Sequence, residues 1–116
     1  MLFMMIVKAS HNSEAGKMPS EALQNQMRHY NNLLVEAGVR VMSKGLHPSS
    51  NGLRISFFKD GENPVVTEGP FENPTELVAG FFLIEVASRE EAIEWAMKAP
   101  DPQGFGEGQI ELRQVF

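Results

Sequence analysis

The most constraining feature of this sequence is the segment 79–87, Ala-Gly-Phe-Phe-Leu-Ile-Glu-Val-Ala, which is apolar on both faces when extended. Successive side chains of a strand point to opposite faces of the sheet. Phe82 and Ile84 therefore share one face, while Phe81 and Leu83 share the other. A sheet built around such a strand needs cover on both sides.

The first strand, Phe3–Ala9, repeats this two-sided pattern. Only two segments show the spacing of an amphipathic helix. One begins at Pro19-Ser20 and ends at Gly38, a residue suited to the left-handed position after a helix. The other begins at the predicted capping box Ser88–Glu91, in which the hydroxyl and the carboxylate each accept a backbone N–H. Two helices can cover one face of a sheet.

The remaining apolar runs predict four more strands: Val39–Leu46, Leu53–Lys59, Val65–Glu68 and Gln109–Val115. Asp60-Gly61 is a turn sequence, which makes the middle two strands a hairpin. Without the hairpin the order is βαββαβ, so the sequence predicts a single α+β domain, residues 1–116. Its expected fold is ferredoxin-like, with an inserted β-hairpin and both helices on one face of an antiparallel sheet.

The second sheet face then lacks cover within the subunit. An apolar patch of that size is larger than soluble monomers usually expose. Stacking two sheets face to face in a two-fold homodimer would cover it. The alternative is that the hairpin 53–68 folds over the open face of its own subunit.

Composition excludes several classes of partner. The net charge is −5 and no Lys/Arg cluster exists, which argues against nucleic acid. The chain has no cysteine, so disulfides and thiolate zinc sites are excluded, and a reducing cytoplasm is expected. The apolar run Met1–Val7 is too short for a membrane span of about 20 residues and lacks a basic leader, so no secretion signal is expected.

Several motifs carry a family resemblance. They are Gly45-Leu-His-Pro48, Glu68-Gly-Pro-Phe71, Gly80–Val86, Glu91-Ala92, Glu94-Trp-Ala96 and Ile110–Val115. In order and spacing they resemble the YCII-related family, and most closely its branch named after an Asp-Gly-Pro-Phe (DGPF) motif. The resemblance implies a dimeric α+β barrel with a cleft beside the barrel. It implies no established reaction, and for some members it implies a setting associated with sigma factors.

Two departures limit what the resemblance implies about chemistry. Glu68 stands where the motif has Asp, which moves the carboxylate out by one methylene. The founding YCII-like proteins are proposed to use a His on the first helix and an Asp near the end of the second. Met27 and Ala99 stand at those positions here, so that His–Asp pair does not transfer.

His47 and Glu68 are the candidate catalytic residues. His47 ends a strand before Pro48, and its ordinary pKa near 6.5 suits a general acid or base. Glu68 is held by a stiff Gly-Pro turn and could abstract a proton or bind a cation. The structural alternatives are a turn histidine bonded to backbone and a carboxylate bonded to the N–H groups of its own turn.

Lys8, Lys44, Arg54 and Phe71 are the candidate ligand-binding residues. Lys8 would bind an anion if the end of its strand faces a pocket. The alternative is that its side chain is solvated at the strand end. Glu85 shares a face with apolar residues and is expected to need a partner such as Arg113. The three histidines lack the spacing of metal ligands, and no dinucleotide fingerprint appears, so no metal or cofactor is expected.

Two functions are compatible with this pattern. The first is a dimer that binds a small molecule in a cleft beside the sheet, with acid–base catalysis by His47 and Glu68 left open. The second is a non-catalytic binding or regulatory module that uses the same cleft or an exposed sheet edge.

Overall fold

The computed structural model describes residues 1–116. Its elements are β1 (Leu2–Lys8), α1 (His11–Glu14), α2 (Glu21–Glu36), β2 (Arg40–Gly45), β3 (Leu53–Ser56), β4 (Val65–Glu68), β5 (Val78–Glu85), α3 (Arg89–Lys98) and β6 (Ile110–Gln114). Every predicted strand and both long helices are present. The short helix α1 lies outside the two segments that show the spacing of an amphipathic helix. None of the helices combines the length and the apolar composition of a membrane span.

Four strands form one antiparallel sheet in the order β2-β5-β1-β6, and β3 and β4 form a separate antiparallel hairpin. The predicted α+β class is therefore confirmed. In the central register Met5 lies opposite Phe82 on one side and Leu112 on the other. Cross-strand partners share a face, so these three side chains point toward the same layer.

Both long helices pack on this face. Tyr30 and Leu34 of α2 and Ala92 of α3 are buried in one cluster with the alternate residues of β1 and β5. The members of that cluster from the strands and their ends are Phe3, Met5, Val7, Val39, Phe82, Ile84 and Val86. The helix-facing side of the sheet thus forms the hydrophobic core.

Tyr30 brings the only phenol of the chain into this core. Its hydroxyl donates to the Trp95 carbonyl oxygen at 2.6 Å, which ties α2 to α3. Its ring meets Phe82 edge to face, with 5.5 Å between centroids. Burial raises the pKa of Tyr30 to about 12, because the phenolate would lose its hydration.

Side-chain caps fix where the helices begin. The Ser88 half of the predicted capping box is confirmed, because the Ser88 hydroxyl accepts the Glu91 N–H at 3.1 Å. The Glu91 carboxylate accepts the Ala87 N–H at 2.8 Å, one residue before the N–H that a capping box uses. Gly38 adopts the expected positive φ, at 70°. The sequence analysis did not predict helix α1, because its capping box is formed by Ser10 and Ser13 and lacks the usual glutamate.

The second face of the sheet has no helix. Its central side chains, Met4, Ile6, Phe81 and Leu83, are only partly buried, and Met42 on the edge strand is 44% exposed. The β3–β4 hairpin does not cover this face. Its apolar side chains range from 49% exposed at Phe58 to 78% at Phe57, which is too exposed for side chains packed on a sheet.

Glu85 has a different partner from the one predicted. Its carboxylate accepts from the amino group of Met1 at 2.8 Å, because Glu85 lies opposite Leu2 at the end of the β1–β5 ladder. Arg113 lies opposite Met4 and pairs instead with Glu111, two residues away on its own strand, at 3.2 Å. The expected Glu85–Arg113 pair is therefore wrong.

Candidate functional site

A large cavity opens at one end of the sheet, with a volume of about 940 Å³. Its walls are α2 up to Asn31, the ends of β1 and β2, the start of β5, helix α1, and the segments 17–20 and 101–105. Nine of its 24 lining residues are hydrophobic. This size and mixture are typical of sites that take up small organic molecules.

The apolar part of the large cavity comes from the sheet and α2. Phe82 and Val7 belong to the buried core, and Leu23 and Met27 reach the same space from the helix. Gly80 on β5 lies beside the end of β2, where a Cβ on residue 80 would be 2.8 Å from the Lys44 carbonyl oxygen. Glycine is therefore required for β2 and β5 to pair closely at this wall.

The polar part of the cavity is held by side-chain hydrogen bonds. Ser43 on β2 donates to Asn31 Oδ1 of α2 at 3.0 Å, and it accepts from the Arg40 guanidinium at 3.3 Å. These contacts fix the edge strand to the helix. They also present the Asn31 amide to the cavity, because Asn31 and Ser43 both line it.

Gln103 anchors the loop that closes the cavity. Its Oε1 accepts from the buried Ser10 hydroxyl at 2.9 Å, and its Nε2 donates to the Lys8 carbonyl oxygen at 3.0 Å. Asp101 shapes the same loop, accepting from the Gln103 N–H at 3.1 Å and the Gly106 N–H at 2.8 Å. The Gln103 bonds thus attach the loop to the end of β1.

A second, smaller cavity of about 340 Å³ contains His47. Glu14 and Ser49 line it as well, and they are bonded to each other: the Glu14 carboxylate accepts from the Ser49 hydroxyl and, at 2.9 Å, from the Ser49 N–H. His47 itself is exposed and makes no side-chain hydrogen bond within the chain. The small cavity therefore contains the His47 imidazole and the Glu14 carboxylate, and this carboxylate already accepts two hydrogen bonds from Ser49.

The Glu68–Phe71 motif lies at the base of the hairpin and lines neither cavity. The Gly69 N–H donates to the Gly52 carbonyl at 2.9 Å, and the Gly69–Pro70 bond is cis. The Phe71 N–H donates to Ser49 Oγ at 3.0 Å, and the Arg54 guanidinium stacks 3.8 Å from the centre of the Phe71 ring. These contacts secure the hairpin to the turn at residues 49–52.

The fold therefore separates the predicted site residues. Lys44 lines the large cavity and His47 the small one, while Arg54 and Phe71 contact each other at the hairpin base. Glu68 is exposed in β4 opposite Leu53. Lys8 ends β1, where its side chain lines neither cavity. His47 and Glu68 share no cavity.

Other lining residues were not singled out from the sequence. They include Asp101, Gln103 and Lys17 in the large cavity and Glu14 in the small one. Their place in the site depends on contacts between distant parts of the chain. The available sequence signal was local: Asp101 follows Pro100 and precedes a glycine-rich stretch, a pattern typical of a side-chain-capped turn.

The profile of the YCII-related domain family matches residues 1–116. The chain belongs to this family. No curated protein matches it significantly. In this YCII-related protein Met27 lines the large cavity. The nearby His29 is exposed on α2 and lines neither cavity.

Proposed function

We propose that this YCII-related protein binds a small organic molecule in the large cavity. The observation that carries the proposal is the cavity itself, which joins an apolar wall from the core to a rim of amide and hydroxyl groups. Preorganised donors and acceptors beside an apolar wall fix the orientation of a ligand. The bonded pair of Asn31 and Ser43 supplies such groups on one side, and Gln103 supplies them on the other.

A cavity-filling variant tests this proposal. Ala22 lies on the exposed first turn of α2 and lines the large cavity, so Ala22→Trp would fill the opening without disturbing the core. Ala37→Trp, at the exposed end of the same helix, is the matched control. A small-molecule library screened by protein-observed NMR should give ligands that bind the wild type and Ala37→Trp but not Ala22→Trp. Ligands that bind all three proteins equally would contradict the proposal.

We infer further that the functional unit is a cytoplasmic homodimer of ferredoxin-like subunits, an assembly of the dimeric α+β-barrel type. The strand order β2-β5-β1-β6 supports this, because it is the order of a βαββαβ sheet with the hairpin inserted between its second and third strands. The helix-free face, with Ile6 and Leu83 near its centre, supports a second copy as its cover. The absence of cysteine supports the cytoplasmic location.

Charging the helix-free face tests the homodimer. Ile6→Lys would place an ammonium group at the centre of the proposed interface, whereas Met97→Lys changes an 81% exposed residue of α3. Sedimentation at micromolar concentration should give a dimer for the wild type and Met97→Lys and a monomer for Ile6→Lys. A wild type that sediments as a folded monomer would refute the assembly.

Acid–base catalysis remains a second candidate function, centred on His47. The supporting observation is the small cavity, where His47 accompanies the Glu14 carboxylate and the Ser49 hydroxyl. Glu68 is retained in this candidate only through its membership of the DGPF-like motif. If a substrate is found, His47→Ala and Glu68→Ala should each lower its turnover. Full activity in both variants would leave binding without catalysis, including a regulatory role, as the function.

A further inference from the structure

The β3–β4 hairpin has one apolar face and one polar face. Residues that lie opposite each other in an antiparallel ladder share a face, and so do alternate residues of one strand. The apolar face therefore carries Leu53, Ile55, Val66 and, at its end, Glu68. The polar face carries Arg54, Ser56, Val65 and Thr67. This alternation is typical of antiparallel strands that pack with one side against other apolar groups.

The apolar face of the hairpin has no cover within its own subunit. Leu53, Ile55 and Val66 are 50%, 51% and 55% exposed, and none of them belongs to the hydrophobic core. The alternate residues of β1 that do face the core are at most 7% exposed. A two-stranded hairpin alone is marginally stable in water, so a surface that covers this face would stabilise it.

The polar face is the one turned toward the subunit. Arg54 belongs to it, and the Arg54 guanidinium stacks 3.8 Å from the centre of the Phe71 ring, at the base of the hairpin. The opposite face, with Ile55 and Val66 at its centre, is thus directed away from the hairpin's own contacts.

The shape of the subunit shows that the hairpin projects from it. The radius of gyration is 16.1 Å, whereas a compact domain of this length has a value of about 13 Å. The longest extent of the subunit is 49 Å. The longest strand of the main sheet, β5, has eight residues and spans only about 27 Å. Since the hairpin forms no part of that sheet, it extends the subunit and is accessible to a neighbouring molecule.

The helix-free face of the main sheet offers too little apolar area for a stable homodimer by itself. Met42 on this face is 44% exposed, and Met4, Ile6, Phe81 and Leu83 are only partly exposed. At roughly 150–200 Å² for a fully exposed side chain of this size, these residues offer on the order of 300 Å². A homodimer of standard interface size buries about 800 Å² on each subunit, of which roughly 500 Å² is apolar.

The apolar face of the hairpin supplies an area of the missing size. Its three apolar side chains, each about half exposed, add on the order of 250 Å². The two uncovered apolar faces of the chain together therefore reach the apolar area of a standard homodimer interface, which neither reaches alone. This match favours a second copy of the chain as the cover.

Charge disfavours a lipid surface as the alternative cover. Phe57 and Phe58 are exposed beside the hairpin loop, but the loop itself carries Asp60 and Glu62 against Lys59. The whole chain has a net charge of −5. Anionic membrane surfaces attract clusters of basic residues, which this hairpin lacks.

We propose that the apolar face of the hairpin is part of the homodimer interface, where each subunit extends its hairpin onto the other. This inference rests on the homodimer proposed above and adds a second contact surface to the helix-free face. Leu53, Ile55 and Val66 pack on the partner subunit, and the polar face stays toward the hairpin's own subunit.

Two neighbouring valines provide a matched test of the face. Val66 lies on the apolar face and Val65 on the polar face, and their exposed fractions in the subunit are 55% and 50%. We expect Val66→Lys to weaken dimerisation at least about tenfold, because it would bury an unpaired ammonium group at the interface. Val65→Lys should sediment like the wild type. Equal weakening by the two variants would show a general effect of charge and overturn the inference.

Cysteine labelling tests the same contact without adding charge. The chain has no cysteine, so Val66→Cys and Val65→Cys each introduce a single thiol. At concentrations that maintain the dimer, a maleimide should label Val66→Cys at least about tenfold more slowly than after dilution to the monomer, because thiol reactivity depends on exposure. Val65→Cys should be labelled at the same rate in both samples. A Val66→Cys thiol that stays fully reactive in the dimer would refute the proposed contact.

Failure of this inference is distinguishable from failure of the homodimer. If the wild type sediments as a dimer, Ile6→Lys as a monomer and Val66→Lys as a dimer of unchanged affinity, the homodimer stands and the hairpin contact is wrong. If the wild type is a folded monomer at micromolar concentration, both proposals fail together.

Discussion

Gly69 lies so close to Ser49 that a Cβ atom on residue 69 would be 1.8 Å from the Ser49 carbonyl oxygen. The glycine of the Glu68–Phe71 motif is therefore needed for the hairpin base to contact the turn at residues 49–52. The same turn supplies the Gly52 carbonyl to the Gly69 N–H and the Ser49 hydroxyl to the Phe71 N–H. The motif thus has a packing role that is independent of any chemistry at Glu68.

Gly69→Ala should destabilise the protein by about 1–3 kcal/mol, the usual cost of forcing an extra methyl group into a closed contact. The effect should be local to the hairpin base, so hydrogen exchange at Gly69 and Phe71 should accelerate more than exchange in β1. Gly45→Ala is the control, because a Cβ there meets nothing within 4 Å. Similar melting temperatures for the two variants would contradict the close contact between Gly69 and Ser49.

Gln103→Ala should loosen the loop over the large cavity. The substitution leaves the buried Ser10 hydroxyl and the Lys8 carbonyl without their partner, which costs about 1–3 kcal/mol when such groups stay buried. Chemical denaturation measures the loss, and Gln109→Ala, at an exposed residue, provides the comparison. An unchanged denaturation midpoint would mean that water replaces the hydrogen bonds of Gln103 without a loss of stability.

Tyr30 should make stability fall at high pH. Its pKa in the folded protein is about 12, above the ordinary 10.0, so the stability that depends on the protonated phenol is complete below pH 10 and is lost progressively between pH 10 and 12. Tyr30→Phe should remove this dependence and cost about 1 kcal/mol at neutral pH through the lost bond to Trp95. Absorbance at the phenolate band reports the titration directly, because the chain has one tyrosine.

Ser88→Ala should destabilise the protein by about 1 kcal/mol, because the Glu91 N–H loses its acceptor at the start of α3. Thermal unfolding measures the change. Ser50→Ala, at an exposed serine outside the helix caps, should stay within about 0.5 kcal/mol of the wild type. A larger loss for Ser50→Ala than for Ser88→Ala would reverse the expected order.

The sequence predicted those features that follow from local rules. The cap formed by Ser88 and Glu91 and the positive φ of Gly38 depend only on neighbouring residues, and both are found. The two-sided pattern of the central strands correctly separated a core face from a face without helices. Strand β3 was expected to reach Lys59 but ends at Ser56, because apolar residues beyond it have no partner strand to pair with.

The candidate site was harder to predict because its geometry comes from long-range contacts. Gln103 bonds a residue 93 positions away in the chain, and Glu14 and Ser49 are 35 positions apart. No local pattern specifies such pairs. His47 and Glu68 were grouped because each adjoins a turn, whereas the fold assigns one to a small cavity and the other to an exposed strand. Lys44 alone among the candidate residues lies on the large cavity.

The separate hairpin leaves β3 and β4 with one neighbour each, so both present unpaired backbone groups that could recruit strands from other molecules. Its connecting loop carries Lys59, Asp60, Glu62 and Pro64, residues that discourage intermolecular β-pairing. Replacing these charges with threonine would leave the folded core untouched. The variant would lose its protection against intermolecular β-pairing, and this would appear as turbidity and fibril formation in concentrated samples.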